Sequence, residues 1–258
     1  MADLQHPAAA VAFPEIRGVD WQAPLRWLAA GWRDYRRAAA ASSFYGICFA
    51  FAGWGLHEVF AHAYALFAGL VTGFLLVAPV LATGIYDLSR AIDAGRAPRL
   101  RPSLTAWRSN LSNIGLLAGV LAVVLLLWAR ASMVIFVLFF DTAGLPSFGD
   151  VVRAIVAFEQ PAFAAVYLVV GGGFALFVFA ISVVAVPLML DRGTDAITAA
   201  LASLAACARN PAALLIWAGC LAALAAVGFA TWFVGLVPLV PLAGHATWHA
   251  YRELVGRA

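Results

Sequence analysis

The sequence predicts an all-α protein, a polytopic transmembrane helical bundle of about six spans with short amphipathic helices along one membrane face. Three observations carry that class. The 258 residues are 64% hydrophobic and only 11% charged, with a mean hydropathy of +0.93, whereas soluble domains carry about 25% charged residues. Apolar runs long enough to cross a bilayer, about 20 residues each, recur along the chain. The arginines, which supply every basic residue, gather at alternate ends of those runs.

Residues 1–20 read as a flexible tail without the apolar core of a cleavable signal peptide, so the first span is expected to act as its own insertion signal. Residues 21–258 read as a single integral-membrane domain with spans near 42–61, 64–88, 112–136, 163–190, 211–233 and 236–252. The first two form a tight hairpin around "HEVFAHA". Between Pro211 and Trp248 there is no Asp, Glu or Arg, and the break "GLVPLVP" divides the stretch into two short spans or a re-entrant pair.

Three stretches between spans are amphipathic: "APLRWLAAGWRDYRRA" (23–38), "SLTAWRSNLSN" (103–113) and "TDAITAALASLAACARNP" (194–211). Each reads as a helix in the interface with its arginines toward anionic headgroups. Because the basic residues hug span ends, the bilayer is the expected partner rather than nucleic acid. With both termini on the arginine-rich side, only Arg130 and Arg153 fall elsewhere. The positive-inside rule then makes that side cytoplasmic, and an inner membrane is expected.

A weak repeat is visible: an interfacial helix, a polar break ("WRD", "WRSN", "ARNP") and two spans, giving a pseudo-threefold arrangement of hairpins. Pro79 to Arg90 aligns with Pro241 to Arg252, placing Tyr86 opposite Trp248, Thr83 opposite His245 and Asp87 opposite His249. Thr83, Asp87, His245 and His249 are therefore the candidate polar site, since polar groups inside a membrane usually mark function. The expected anchors at the interface are Trp27, Trp32, Tyr86, Arg90, Trp248, Tyr251 and Arg252. His245 lies about 10 Å deeper than Arg252 at 1.5 Å per residue, and a polar partner such as Asp87 is expected for it.

Other features have plainer readings. No soluble catalytic motif appears. Cys48, Cys207 and Cys220 lack any CxxC spacing and read as small apolar side chains. Gly69/Gly73, Gly115/Gly119 and "GGG" at 171–173 predict close helix packing. Arg130, near the far interface, is expected either to snorkel or to pair with Glu58 or Asp141. His57, Glu58 and His62 do not share one helical face, so no metal site is assigned there. His245 and His249 share a face, yet two histidines on one helix cannot be opposite axial ligands of a haem. No cofactor is expected.

"LRWLAAGWRDYRRA", "GIYDLSRAIDAGRAPRL", "VVAVPLMLDRGTDAITA" and "PLAGHATWHAYREL" together resemble the bacterial membrane family called domain of unknown function 2189, over roughly 17–255, with "GHATWHAYR" the most specific part. The resemblance implies a membrane fold but no established activity. Some members are labelled cytochrome c oxidase subunit I. A haem–copper oxidase core uses more histidine ligands than the five histidines of this chain, and about twice as many spans, so the label does not fit. The expectation is a non-enzymatic scaffold, assembly or accessory protein, with a membrane-protein partner, a respiratory oxidase being one candidate, or a second copy. The alternatives are a small-solute transporter or channel with a polar centre near the cytoplasmic side, and, behind it, a metal-binding or redox protein.

Overall fold

A computed structural model describes residues 13–62, 81–140 and 160–256. The helices are α1 (Ala23–Arg37), α2 (Ala39–His62), α3 (81–93), α4 (Leu100–Ser103), α5 (Leu111–Phe139), α6 (Pro161–Ser182), α7 (Ala185–Arg192), α8 (Ala196–Arg209), α9 (Pro211–Ala230) and α10 (Leu236–Leu254). A 3₁₀ turn at Ala106–Asn110 precedes α5. Among the described residues four helical stretches are long and apolar enough to cross a membrane: Ala39–Glu58, Leu100–Phe139, Pro161–Arg192 and Pro211–Ala230. The expected span 64–88 lies mostly outside the described residues, and α3 is its outgoing end. The expected span 236–252 is the helix α10, whose polar last turns leave it out of those four.

Local chemistry explains the boundaries. α1 has proline in its first turn and Arg36 and Arg37 in its last, where cations meet the negative end of the helix dipole. It runs through buried Ala38 directly into α2. The expected continuous fourth span is broken at Val183–Val184 into α6 and α7. Pro187, which has no N–H and would clash with the carbonyl four residues back, sits instead in the first turn of α7. Gly193, at φ 66°, closes α7 in the left-handed conformation, and the Asp195 carboxylate then caps α8 by accepting from Thr198 N at 2.9 Å.

The expected amphipathic helix over 103–113 is replaced by one turn of α-helix and one of 3₁₀. Side chains there compete for the backbone: Ser109 donates to the Ala106 carbonyl at 2.8 Å and Trp107 Nε1 to the Leu104 carbonyl at 2.9 Å. α9 and α10 are joined by the turn 231–235, in which Trp232 and Phe233 take φ 53° and 66°. Thr231 secures it, its hydroxyl accepting from Gly235 N at 2.9 Å.

α10 is the centre of the molecule, packed against α1, α2, α7 and α9, while α5 pairs with α6. The main core, at the arginine-rich end, is built on Trp27, Leu188, Met189, Trp217, Trp248 and Tyr251. Backbones approach closest where glycine allows it. A Cβ on Gly31 would come within 2.6 Å of Ala246 N, and one on Gly46 would overlap the Val237 carbonyl. The glycines expected to mediate packing mostly do not: Gly115, Gly119, Gly172 and Gly173 face open space, and only Gly171 meets a neighbour, Trp128. Spacing alone could not tell the packed face from the outer one. Gly69 and Gly73 lie outside the described residues.

Residues 13–20, read as flexible tail, are fastened instead. Ile16 and Val255 form an isolated antiparallel bridge. Arg17 N donates to the Leu254 carbonyl at 2.8 Å and Gly256 N to the Glu15 carbonyl at 3.0 Å. The Asn210 side chain accepts from Val19 N at 2.7 Å and donates to the Arg17 carbonyl at 2.9 Å. The backbone groups of this segment thus find partners at the end of α10 and just beyond α8.

Candidate functional site

His245 and His249, one turn apart on α10, face α1, α2 and α3 rather than lipid. His245 is fully buried. Its Nε2 lies 2.8 Å from Ser42 Oγ on α2, and its Nδ1 lies 2.7 Å from Ser89 Oγ on α3. Ser89 donates to Asp34 Oδ2 on α1 at 2.8 Å, and His249 Nε2 reaches the same oxygen at 2.8 Å. Four helices therefore meet in one chain of side-chain hydrogen bonds: Ser42, His245, Ser89, Asp34, His249.

The carboxylate sets the direction of that chain. An ionised Asp34 only accepts, so the Ser89 proton points to it, and the Ser89 oxygen is left to accept from His245 Nδ1–H. Nε2 is then the bare nitrogen that accepts the Ser42 proton. Burial works against the Asp34 carboxylate, but the hydrogen bonds from His249 and Ser89 outweigh it and hold its pKa below the ordinary value of 3.8. The order serine, histidine, serine, aspartate resembles a hydrolase relay. Ser42 is fully buried, however, so its hydroxyl has no route to a substrate in this packing.

Of the expected polar site, His245 and His249 come together with α3 but not with Asp87. Asp87 accepts from Arg90 Nη2 at 2.6 Å on its own helix, and Thr83 is fully buried. The expected partner of His245 is thus corrected from Asp87 to Ser42 and Ser89. His249, expected at the interface, is bound to Asp34.

Most expected anchors are buried ties instead. Trp27 is 1% exposed with Nε1 donating to Glu253 at 2.7 Å, and Trp248 is 1% exposed with Nε1 donating to Asp93 at 2.7 Å. Tyr251 is buried and donates to Asp191 at 2.7 Å. Arg252 lies between Asp93 and Asp191, at 3.6 and 3.4 Å. Arg90 also donates to the Leu190 carbonyl at 2.8 Å, joining α3 to α7, and Tyr86 is half-buried against the main core. Trp32, stacked on Tyr35, is the anchor that stays exposed. An aromatic residue and an arginine at a span end look alike in sequence whether they face headgroups or a neighbouring helix. The signal overlooked was the acids: Asp34, Asp93, Asp191 and Glu253 all lie at the arginine-rich end, each within hydrogen-bonding reach of an expected anchor or of His249.

Arg130 is exposed, and no ion pair among the described residues includes it. Glu58 does not meet it, and Asp141 lies outside the described residues. Among those residues no three side chains converge to hold a metal ion; the His62 side chain lies outside them.

Fold and site together define the class: a polytopic integral membrane protein of α-helices, locked at one end by buried polar bonds. Over residues 66–191 the chain matches the model of the family described as predicted integral membrane protein (DUF2189), the domain of unknown function 2189 that its sequence resembles. The matched stretch covers α3 to α7 and leaves out α10, so "GHATWHAYR" lies beyond it. No curated protein and no solved structure matches the chain.

Proposed function

We propose that this chain is a non-enzymatic membrane scaffold, an assembly or accessory protein that works through its helix faces. One observation supports the reading above others: the polar groups of the candidate site are spent on one another, while the sides of α5 and α6 stay uncovered. Val137, Leu138 and Val169 are 72–74% exposed. In a bilayer such faces meet lipid or another protein's helices, and the outward Gly115 and Gly119 allow close approach there. The distribution of arginines supports a bacterial inner membrane with both termini in the cytoplasm and anionic headgroups beside them. A respiratory oxidase is one partner this reading includes.

Purification of the full chain in a gentle detergent, with cross-linking from cysteines at 115, 119 and 172, tests the proposal. Cross-links to a defined membrane protein or to a second copy are expected. A monomer with no cross-links at any of the three positions overturns it.

The second reading, a pathway for a small solute, draws on the chain of hydrogen bonds from His249, 22% exposed at its side chain, to buried Ser42. Such a chain can pass protons. Vesicles loaded with a pH-sensitive dye distinguish the two: proton uptake lost in His245→Phe favours transport, and uptake no faster than in protein-free vesicles favours the scaffold.

A further inference from the structure

α3 ends in a Schellman motif. Gly95, at φ 67°, takes the left-handed position; its N–H donates to the Ile92 carbonyl at 3.0 Å, and Arg96 N donates to the Ala91 carbonyl at 2.8 Å. The turn folds the segment 96–99 back across the end of α3, and Pro98 and Pro102 stiffen the chain on either side of Arg99. The result is a surface cavity of about 380 Å³ lined by Asp87, Ala91, Arg96, Ala97, Arg99 and Pro102.

Its charges are unequal. Asp87 is already matched by Arg90 at 2.6 Å. Among the described residues, Arg96 and Arg99 have no carboxylate within ion-pair distance and no side-chain hydrogen bond. Two guanidinium groups, each with a fixed fork of donors, therefore line a cavity whose one carboxylate, Asp87, is already matched by Arg90. Planar, doubly donating guanidinium groups suit phosphate oxygens better than any other common biological anion except carboxylate. The cavity sits where α3 leaves the bundle and the chain turns through α4 toward α5, at the end where the arginines gather. Its other lining, Ala91, Ala97 and Pro102, is apolar and suits the glycerol and upper chain carbons beside a phosphodiester.

We propose that this cavity is a phosphate-binding site, with Arg96 and Arg99 gripping the phosphate group of a phospholipid headgroup or of free phosphate. This rests on the membrane reading but not on the scaffold role.

The test uses the full chain in detergent, titrated separately with short-chain phosphatidylglycerol and with inorganic phosphate, and read by native mass spectrometry and by ³¹P line broadening. The variants are Arg96→Gln/Arg99→Gln and, as a control of equal charge change, Arg33→Gln/Arg36→Gln on exposed positions of α1. Loss of two contacts is expected to weaken binding on the order of tenfold in the cavity variant, with less than about twofold change in the control. Loss in the lipid arm alone identifies a headgroup site, and loss in both arms a general phosphate site. Equal weakening in both variants, or binding unchanged in the cavity variant, overturns the proposal. All four positions are exposed, so circular dichroism is expected to show the same helix content in every protein.

Discussion

At the arginine-rich end, α1, α2, α3, α7 and α10 meet through directional bonds: Ser42 and Ser89 on His245, Asp34 on His249, Glu253 on Trp27, Asp191 on Tyr251. At the other end of α5 and α6, Phe136, Phe140 and Phe163 meet by ring contact alone, with centroids 4.2 Å apart for Phe136 and Phe140 and 4.9 Å for Phe140 and Phe163. The contrast shows what specifies packing inside a bilayer. Lipid tails are as apolar as leucine, so burying a ring against another helix gains little over leaving it in lipid. A hydrogen bond between buried side chains has no such substitute, and its geometry fixes both rotation and height of the helices it joins. The bonded end is therefore the part with one arrangement, and the aromatic end the part with outward faces to spare.

Substitutions at the two ends sharpen that contrast. The largest effect is expected from Gly46→Ala, whose new methyl group would overlap the backbone of Val237; a loss of about 3 kcal/mol is anticipated from overpacking. Fluorescence-detected gel filtration after a heating series measures it, and Gly115→Ala, which adds a methyl group in open space, is expected to match the parent chain. If both behave alike, close approach of α2 and α10 does not hold the bonded end together.

His245→Ala comes next. It leaves Ser42 and Ser89 without their buried partner, which is expected to cost about 2 kcal/mol, seen as an earlier midpoint in the same series. The companion Phe163→Leu at the aromatic end is expected to shift the midpoint less, and the reverse order would break the comparison.

Acid titration has a smaller effect with a defined sign. Asp34 has its pKa lowered in the folded protein from an ordinary 3.8, so its stabilisation is fully present above about pH 4 and is lost as the pH falls through the folded value. Thermal midpoints recorded between neutral pH and about pH 3 are expected to fall in the parent chain and to fall less in Asp34→Asn. The smallest change is expected from Asp195→Ala, which removes the exposed cap of α8 and leaves the four-helix junction untouched; hydrogen exchange at the first turn of that helix is the sensitive measurement.

Much of the bundle was legible in the sequence because membrane segments are specified by composition. α2, α5 and α9 begin within a few residues of where apolar runs predict them, and α1 and α8 match their amphipathic stretches. The part that was not legible depends on which neighbour a helix face meets. The pair His245 and His249 could be seen as unusual from spacing, but Ser42 and Ser89 are ordinary residues of their helices until α10 is placed between them. Trp248 and Tyr251 have the composition of an interface belt, and only the positions of Asp93 and Asp191 turn them inward. The break at Val183–Val184 was signalled by Pro187, whose restriction falls on the turn before it.

The bridge between Ile16 and Val255 gives the molecule a mechanical property. Because residues 15–17 lie alongside 254–256, tension applied between the two ends of the described chain is carried first by that clasp and by Asn210, before it reaches any helix. The clasp thus shields the packing of α1 on α10, where Asp34 holds His249, from a pull on either end of the described chain.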